Sequence, residues 1–254
     1  MSTHFATDAA TLTGRSLRHI ARSPDTIITT ALMPIAFLLL FVYVLGGAIE
    51  TGASVPYVTY LLPGILVITV ASGVSYTGYR LFQDLQGGIV ERFRSMPIAP
   101  PAVLWAHVLT SLVANVLSLA IVVAVATLMG FRSGAGVGGW LAVFGVMVVF
   151  TLALTWLAVL AGLTAKSIDG ATAFSYPLIF LPFLSSAFVP TGTMPGPVRW
   201  FAQHQPVTAI VDALRAIFAG EPVGAAIWIA LGWLGAVLIV GYACATLAYR
   251  RRTS

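Results

Sequence analysis

The residues that could perform chemistry in this chain are few and far apart. The four histidines lie in separate parts of the sequence, and the one cysteine is remote from them: His4, His19, His107, His204 and Cys244. Metal sites need clustered histidine, cysteine or carboxylate ligands. The spacing therefore predicts no metal site and no catalytic residues, and it argues against a metalloenzyme.

Two patterns resemble nucleotide sites without meeting their requirements. Residues 134–139 read G-x-G-x-x-G, a pattern that indicates a dinucleotide site only after a strand and at the start of a soluble helix. Here it connects two apolar segments and predicts a flexible turn. Lys166–Ser167 resembles the end of a phosphate-binding loop, but Leu160 and Ala165 stand where that loop requires glycine. We expect no ATP site in this chain, so a separate ATPase would have to supply any ATP-derived energy.

The elements that must position these residues are apolar helices. The chain has 254 residues, of which 59% are hydrophobic and 8% charged, whereas soluble proteins average about 25% charged residues. The sequence contains six long runs without a charged residue. Each of these charge-free runs can hold one membrane-spanning helix of roughly 20 residues. The composition excludes a soluble enzyme, a nucleic-acid-binding domain and a disulfide-built secreted domain. Outer-membrane barrels are excluded because their strands alternate apolar with polar residues. The charge-free runs are 26–49, 51–79, 95–131, 133–165, 170–198 and 222–249.

The distribution of basic residues predicts the orientation. With the N-terminus inside, ten of the 13 lysines and arginines lie in inside segments, and only Arg132, Arg199 and Arg215 lie outside. Because cytoplasmic loops retain basic residues, both termini are predicted to be cytoplasmic, and the net charge of +5 needs no nucleic-acid partner. The fold class is therefore all-α: one polytopic membrane domain, 1–254, with six transmembrane helices. The predicted spans are 26–48, 58–80, 103–129, 140–164, 171–189 and 224–248.

Prolines and the basic start add local detail. Pro34 in the first span, and Pro177 with Pro182 in the fifth, are expected to kink or interrupt their helices. Within the cytoplasmic start, 1–25, three arginines at i, i+3 and i+7 predict an amphipathic helix on the membrane surface. An ordinary basic flank without a defined helix is the alternative. These arginines are Arg15, Arg18 and Arg22.

The spans lack the groups that ion-driven transporters use. All six runs are free of Asp, Glu, Lys and Arg, which such transporters usually place inside the membrane. His107, near the start of the third span, is more readily explained as a satisfied polar residue than as a proton relay. If this protein moves a substrate, its energy should come from another chain.

The loop 83–101 between the second and third spans is the most informative. Gly87–Gly88 should break the preceding helix, and Pro97 and Pro100–Pro101 should end whatever follows. Between these breaks, residues 89–95 would place apolar and charged side chains on different sides of a short helix. A short helix of this kind could dock into a groove on a partner, and a solvated connecting turn fits the residues equally well.

Two segments resemble a known family. ERFRSMPIAP at 91–100 resembles the loop after the second span in ABC-2 type transporter permeases, which contains a coupling helix that inserts into the ATPase subunit. Residues 187–222 resemble that family's stretch after the fifth span, where F-x-P and Met-Pro precede a Trp, an x-Pro-hydrophobic-Thr and a D-x-x-R pair. The resemblance extends over nearly the whole chain and is to daunorubicin-resistance-like drug-exporter subunits in particular.

The resemblance implies both partners and coupling residues. Two ATPase subunits would bind ATP and Mg²⁺, a second permease, identical or homologous, would complete the core, and this chain would hold no cofactor itself. The location implied is the cell (inner or plasma) membrane of a bacterium, where lipids surround the spans. Glu91 and Arg92 would contact the ATPase, Phe93 would anchor the helix in an apolar pocket, and Pro97 would end it. The coupling positions carried over are Glu91, Arg92, Phe93, Arg94, Ser95 and Pro97.

The segment 190–222 is predicted to form re-entrant or interfacial helices on the outer side. Asp212 and Arg215, spaced i, i+3, suit a weak pair on a helix surface. Together with Trp200 they are the candidate gate for substrate exit, and an amphipathic lid that packs the dimer is the alternative. The helical apolar stripe of this segment is Val207, Ile210, Val211, Leu214, Ile217 and Phe218.

Uncharged spans suit an apolar or amphiphilic substrate, such as a drug or a lipid. Aromatic residues of the spans are candidates for lining the pathway, although such residues also pack helices or form interfacial belts. Two other functions stay open: export of a polysaccharide or glycolipid, and a membrane scaffold without transport, which would need no coupling helix. The candidate pathway residues are Tyr76, Tyr79, Phe174, Tyr176, Phe180 and Phe183.

Overall fold

The computed structural model describes residues 13–14, 24–46, 55–88 and 100–253, and every regular element within these ranges is helical. Predicted features in 1–12, 15–23, 47–54 and 89–99, including the basic start and the coupling segment, lie outside the described residues. The helices are α1 (Pro24–Leu39, continued by a π-helical segment, Leu40–Leu45), α2 (Tyr57–Gln86), α3 (Pro100–Leu128), α4 (Val137–Thr164), α5 (Ile168–Ala173), α6 (Ser175–Phe180), α7 (Gly196–His204), α8 (Pro206–Ala219) and α9 (Ala226–Thr253), with short 3-10 turns at Leu181–Leu184 and Thr191–Thr193.

Within the described residues, four helices are long and apolar enough to cross a membrane. They are α2, α3, α4 and α9, and their spanning portions are Tyr57–Gln86, Ala102–Leu128, Val137–Thr164 and Ala226–Arg251. These portions correspond to the predicted second, third, fourth and sixth spans. The long charge-free runs account for them, because each supplies more than the roughly 20 apolar residues that a bilayer requires.

The predicted first and fifth spans appear as shorter apolar helices, Ala31–Leu45 and Ile168–Leu184. Pro34 lies inside α1. The fifth is divided into α5, α6 and a 3-10 turn, with Phe174 at the first junction and Pro182 within the turn. Pro177 has no backbone N–H to donate to the carbonyl group one turn earlier, which favours the break at Phe174. The interruption expected in the fifth span is confirmed, whereas α1 continues through Pro34, and full crossing by these two segments stays a prediction.

Helix α2 lies at the centre of the packing, against α1, α3, α4, α5, α6 and α8. Its closest approach to α4 is at two glycines. A Cβ atom on Gly162 would lie 2.7 Å from the carbonyl oxygen of Gly78, and a Cβ on Gly78 would lie 2.5 Å from that of Ala171. Small residues let membrane helices approach closely, and here the absence of side chains brings α2, α4 and α5 into backbone contact.

A buried polar cluster connects α3 and α4. The hydroxyls of Ser111 and Thr155 lie 3.2 Å apart, and Asn115 Nδ2 donates to the backbone oxygen of Ser111 at 2.9 Å. All three residues are buried. Hydrogen bonds between uncharged side chains of this kind join helices inside a membrane. The sequence, which is free of charge in both spans, offered no indication that these three residues would meet.

The loop predicted at 83–101 is shorter than expected. Helix α2 continues to Gln86 and ends at Gly87–Gly88, where Gly88 has φ 67°. This confirms the predicted helix break, since glycine favours the left-handed conformation at a helix end. On the other side, Pro100–Pro101 begin α3, as suits proline in a first turn. The two ends of the predicted coupling segment therefore continue directly into two spanning helices.

Candidate functional site

Four polar residues form a closed network between α2, α8 and the segment after the broken fifth region. We call Tyr60, Ser186, Asp212 and Arg215 the arginine cluster. Arg215 Nη1 donates to Asp212 Oδ1 at 3.1 Å. Its Nη2 donates to two backbone oxygens, that of Ser186 at 2.9 Å and that of Tyr60 at 3.2 Å. One side chain thus joins three segments that are distant in the sequence.

The other members of the arginine cluster also contact one another. Tyr60 Oη donates to the backbone oxygen of Ser186 at 3.1 Å, and Ser186 Oγ donates to Asp212 Oδ1 at 2.6 Å. The Arg215 guanidinium carbon lies 3.9 Å from the centre of the Tyr60 ring, well within the roughly 6 Å range of a cation–π contact. Every member therefore contacts at least two others.

The cluster is more buried than the sequence suggested. The side chain of Arg215 is 24% exposed and that of Asp212 is 44% exposed. Burial lowers the pKa of the Arg215 guanidinium, while Tyr60 and Asp212 act in the opposite direction. Arginine nonetheless stays charged in proteins, so the cluster holds a partly desolvated cation. The predicted i, i+3 contact is confirmed, but Arg215 is more buried than a pair on a helix surface would be.

Helix α8 positions the cluster through its apolar face. Gln205 precedes its first residue, Pro206, and donates from Nε2 to the backbone oxygen of Leu184 at 3.2 Å. This bond ties the start of α8 to the end of the fifth region. The predicted stripe is confirmed as buried core: Val207, Ile210, Val211, Leu214, Ile217 and Phe218. Burial of that stripe leaves Asp212 and Arg215 to face Tyr60 and Ser186.

A close backbone approach holds the Ser186 segment against α2. A Cβ atom on Gly64 would lie 2.6 Å from the Cβ of Ala187, so only glycine allows this contact. Tyr57 Oη donates to the backbone oxygen of Phe188 at 3.5 Å. The Ser186 carbonyl therefore has a fixed position, and it accepts hydrogen bonds from both Tyr60 and Arg215.

The structure divides the candidate pathway aromatics into groups. Phe183 stacks on Phe188 with ring centres 4.6 Å apart, and Phe188 contacts Phe41 at 4.7 Å. Phe37 and Phe180 join the same group at 5.9 and 6.2 Å from Phe183. We call these five the phenylalanine cluster. The sequence prediction included two of them and missed Phe37, Phe41 and Phe188, although Phe37 and Phe41 are spaced one helical turn apart.

The other four candidates lie elsewhere. Tyr76 and Tyr79 contact each other on α2 with ring centres 5.9 Å apart. Phe174 packs partly buried against the main core. Tyr176 is 60% exposed. The six predicted residues therefore do not form one continuous lining within this chain.

Asp84 of α2 and His107 of α3 form a polar contact at the ends of these helices that are predicted to be cytoplasmic. His107 Nε2 is 3.2 Å from Asp84 Oδ2. This contact confirms the expectation that His107 is a satisfied polar residue. The pair brackets the predicted coupling segment, since Asp84 precedes it on α2 and His107 follows it on α3. Nearby, Trp105 packs edge-on against Trp156 of α4 with ring centres 5.4 Å apart.

The remaining predicted site residues are separated from these clusters. Trp200 is 65% exposed and stacks on His204 within α7, with ring centres 4.8 Å apart. The Trp200 ring therefore stacks on His204, whereas Asp212 and Arg215, the other two residues of the predicted gate, belong to the arginine cluster. The coupling positions lie in 89–99, outside the described residues: Glu91, Arg92, Phe93, Arg94, Ser95 and Pro97.

The two patterns that resemble nucleotide sites have structural roles. Gly134 donates its N–H to the backbone oxygen of Phe218 at 2.7 Å, which ties the α3–α4 connection to α8. Ser167 Oγ accepts from the N–H of Gly170 at 3.1 Å and caps α5. Across the part of the chain that the structure describes, no three His, Cys, Asp or Glu side chains are grouped to hold a metal ion.

The helices and the match to known sequences define the class of protein. Four helices of spanning length mark a multi-pass membrane protein, and the profile of the ABC-2 type transporter family matches residues 7–219. The chain belongs to the ABC-2 type transporter family and is a membrane permease of that type.

Similar proteins carry drug-resistance names. Over 222 residues the chain is 32% identical to the daunorubicin resistance ABC transporter permease protein DrrB1 of Streptomyces coeruleorubidus, covering 83% of this chain and 77% of the relative. Over 253 residues it is 23% identical to the probable doxorubicin resistance ABC transporter permease protein DrrC of Mycobacterium tuberculosis, covering 98% and 91%. The resemblance to drug-resistance permeases found in the two sequence segments is thereby confirmed.

Proposed function

We propose that this chain is the membrane subunit of an ATP-driven exporter for a lipophilic drug or a lipid-like substrate in a bacterial cell membrane. The observation that carries the proposal is its similarity, over 83% of its length, to a permease named for daunorubicin resistance. The charge-free spans fit such a substrate, because they present little that would attract an ion. Energy would come from two ATPase subunits that bind ATP and Mg²⁺.

Coupling to the ATPase is assigned to residues 89–99. The segment leaves the end of α2 and enters the start of α3, so a push on it acts on two spanning helices at once. The Asp84–His107 contact, at 3.2 Å, joins those helices beside the segment. Glu91 and Arg92 would bind the ATPase and Phe93 would enter its apolar pocket.

Substrate exit is assigned to the region of the arginine cluster. The cluster joins the first turn of α2 to the re-entrant helix α8 and to the Ser186 segment. Opening these elements would require separation of the Arg215–Asp212 pair and of Arg215 from two carbonyl groups. Trp200, exposed on α7, would act at the mouth of this region and not within the cluster. The phenylalanine cluster would offer an aromatic surface to an apolar substrate.

The six predicted spans are few for a translocation path, so a second permease subunit, identical or homologous, would complete it. Apolar side chains exposed on α1 and α6, including Tyr43 and Phe180 at 71% and 63%, are available to pack against such a partner or to face the path. Co-expression with an ABC ATPase encoded beside this chain would test the coupling assignment. We expect Glu91→Arg with Phe93→Ala to reduce ATPase co-purification at least tenfold, and the exposed-site control Lys166→Glu to leave it unchanged.

Three outcomes separate the alternatives. Unchanged ATPase co-purification with the double variant would contradict the coupling role of 89–99. A chain that binds no ATPase at all would contradict the exporter and support a scaffold function. Transport of a glycolipid, with no movement of a lipophilic drug, would contradict the substrate class and leave the coupling assignment intact.

A further inference from the structure

We propose that Asn115 of α3 is a positioning residue, which fixes α3 to α2 and α4 so that the three helices respond to the coupling segment as one unit. This role rests on the proposed coupling of residues 89–99 to an ATPase. Asn115 is 1% exposed and lies near the middle of α3, Pro100–Leu128. At 1.5 Å per residue it is roughly 20 Å from each end of the helix, a depth at which an amide side chain needs partners within the protein.

The hydrogen bonds of Asn115 fix the direction of its amide group. Nδ2 donates to the backbone oxygen of Ser111 at 2.9 Å and to Ser111 Oγ at 3.3 Å. A carbonyl oxygen only accepts hydrogen bonds, so the amide nitrogen has to face Ser111 and the amide oxygen has to face away from it. In the part of the chain that the structure describes, Asn115 Oδ1 is buried without a hydrogen-bond partner.

The hydroxyl groups of this polar cluster have no donor left for that oxygen. Thr155 Oγ1 donates to the backbone oxygen of Thr151 at 2.6 Å, and it lies 3.2 Å from Ser111 Oγ. Each hydroxyl has one hydrogen to donate, so Ser111 donates to Thr155 and accepts from Asn115. The bonds therefore run in one direction, from Asn115 through Ser111 into the backbone of α4. The Asn115 oxygen has to find its partner on another helix.

The partner that the packing offers is Gly73 of α2. A Cβ atom on Gly73 would overlap Asn115 Oδ1, so the Cα–H bond that a side chain would replace points at this oxygen. Contacts between Cα–H groups and oxygen atoms recur at helix–helix interfaces and are weakly attractive. A larger residue at 73 would push the Asn115 amide away from Ser111 or separate α2 from α3. The contact therefore depends on glycine at 73 and on the amide at 115.

Two polar contacts at different depths join α2 to α3. One is the Gly73–Asn115 contact, and the other is between Asp84 and His107, whose side chains are 3.2 Å apart. Along α3, His107 and Asn115 are separated by roughly 12 Å. A single contact would let the two helices pivot about it, whereas two contacts this far apart hold both their angle and their register. Since the Asn115 hydrogen bonds also reach α4, a displacement of the coupling segment would be carried by three helices.

The relative position of α2 and α3 can be measured in the full chain without an ATPase. Asp84→Cys and His107→Cys, in a chain with Cys244→Ser, are joined by a short bifunctional thiol reagent in vesicles of phosphatidylcholine and phosphatidylglycerol, and the rate of cross-linking is recorded. Because these changes remove the Asp84–His107 contact, the register of the two helices then depends on Asn115. Circular dichroism and gel filtration verify that each variant is folded.

Two variants change the contact from opposite sides. Asn115→Leu keeps the approximate volume of the side chain and removes the amide, and its control is Val113→Leu, at an exposed position of α3. Gly73→Ala places a methyl group against Asn115 Oδ1, and its control is Gly145→Ala, where a Cβ meets nothing within 4 Å. We expect the two contact variants to slow cross-linking at least fivefold and the two controls to leave its rate unchanged.

The role in coupling is measured with the ATPase present and with Asp84, His107 and Cys244 unchanged. We expect Asn115→Leu and Gly73→Ala each to lower the amount of daunorubicin transported per ATP hydrolysed at least fivefold, while ATPase co-purification stays constant. This ratio does not depend on the amount of folded protein, so a merely structural loss would leave it unchanged.

The two measurements separate the possible failures. An unchanged cross-linking rate in both contact variants would overturn the positioning role of Asn115. Slower cross-linking with the parental ratio of transport to hydrolysis would overturn its role in coupling. A parent complex that transports no daunorubicin would contradict the proposed function and with it the role in coupling, whereas the cross-linking rates would still decide whether Asn115 positions the helices.

Discussion

The Arg215 guanidinium lies 3.9 Å from the centre of the Tyr60 ring, although 155 positions separate the two residues in the sequence. The contact joins helix α8 to the first turn of α2. It combines a cation–π interaction with a hydrogen bond to the Tyr60 carbonyl oxygen. Several consequences of this arrangement can be measured directly.

Replacement of Arg215 should destabilise the protein strongly. Arg215→Ala would leave Asp212 without its cation and would remove the donor to the Ser186 and Tyr60 carbonyls. Because Arg215 is 24% and Asp212 44% exposed, this change should cost about 2 kcal/mol, less than the loss of one partner from a fully buried pair. Thermal unfolding in detergent measures the effect, with Arg132→Ala, at an exposed arginine, as the control expected to stay within about 0.5 kcal/mol of the parent. Equal losses at both positions would contradict the structural role of the cluster.

The ring and the hydroxyl of Tyr60 should each contribute to stability. Tyr60→Phe removes the hydrogen bond to Ser186 and keeps the aromatic face under Arg215, at a cost of about 1 kcal/mol. Tyr60→Leu removes both contacts and should cost about 1 kcal/mol more, as expected for a cation–π pair. Unfolding curves of the two variants provide the comparison. A Leu variant as stable as the Phe variant would mean that the guanidinium gains nothing from the ring.

Exchange of Asp84 and His107 should test whether their contact couples movement of α2 and α3 to ATP hydrolysis by the partner. We expect Asp84→Ala to lower the drug-stimulated ATPase activity of the complex several-fold, because α2 and α3 would no longer move as a unit. The double exchange, Asp84→His with His107→Asp, should restore most of that activity. ATPase co-purification is the control and should stay constant. Failure of the exchange to restore activity, with binding intact, would show that the contact is not the cause.

A single methyl group at Gly162 should separate α2 from α4. Its Cβ would lie 2.7 Å from the Gly78 carbonyl oxygen, so Gly162→Ala should destabilise the protein by about 1–3 kcal/mol through overpacking. Gly145 on the same helix is the control, since a Cβ there meets nothing within 4 Å. Gly145→Ala should be neutral or stabilise by up to about 1 kcal/mol. Thermal unfolding of the two variants separates steric contact from helix propensity.

Much of the fold could be predicted from the sequence, because the signals for it lie within single segments of the chain. Charge-free runs predicted six spans, of which four are helices of spanning length, and prolines predicted the division of the fifth region, because span length and proline chemistry act within one segment. The spacing of Asp212 and Arg215 likewise predicted their contact. What could not be predicted was the burial of Arg215, since its partners Tyr60 and Ser186 come from distant segments.

In the candidate sites, too, features within one segment could be predicted and contacts between distant segments could not. Phe180 and Phe183 were predicted as aromatic candidates, yet their neighbours Phe37, Phe41 and Phe188 come from other segments. Periodicity describes the face of one helix and does not identify which helix packs against it.

The central claim is that an ATPase drives this permease through residues 89–99. The most direct measurement is ATP-dependent uptake of daunorubicin into inverted vesicles that contain the chain, its second permease if one is encoded, and the ATPase. We predict uptake with the parent and with Lys166→Glu, and at least a tenfold loss with Glu91→Arg and Phe93→Ala although the membrane content of the chain is unchanged. Uptake at the parental rate in the double variant, or uptake without the ATPase, would contradict the claim.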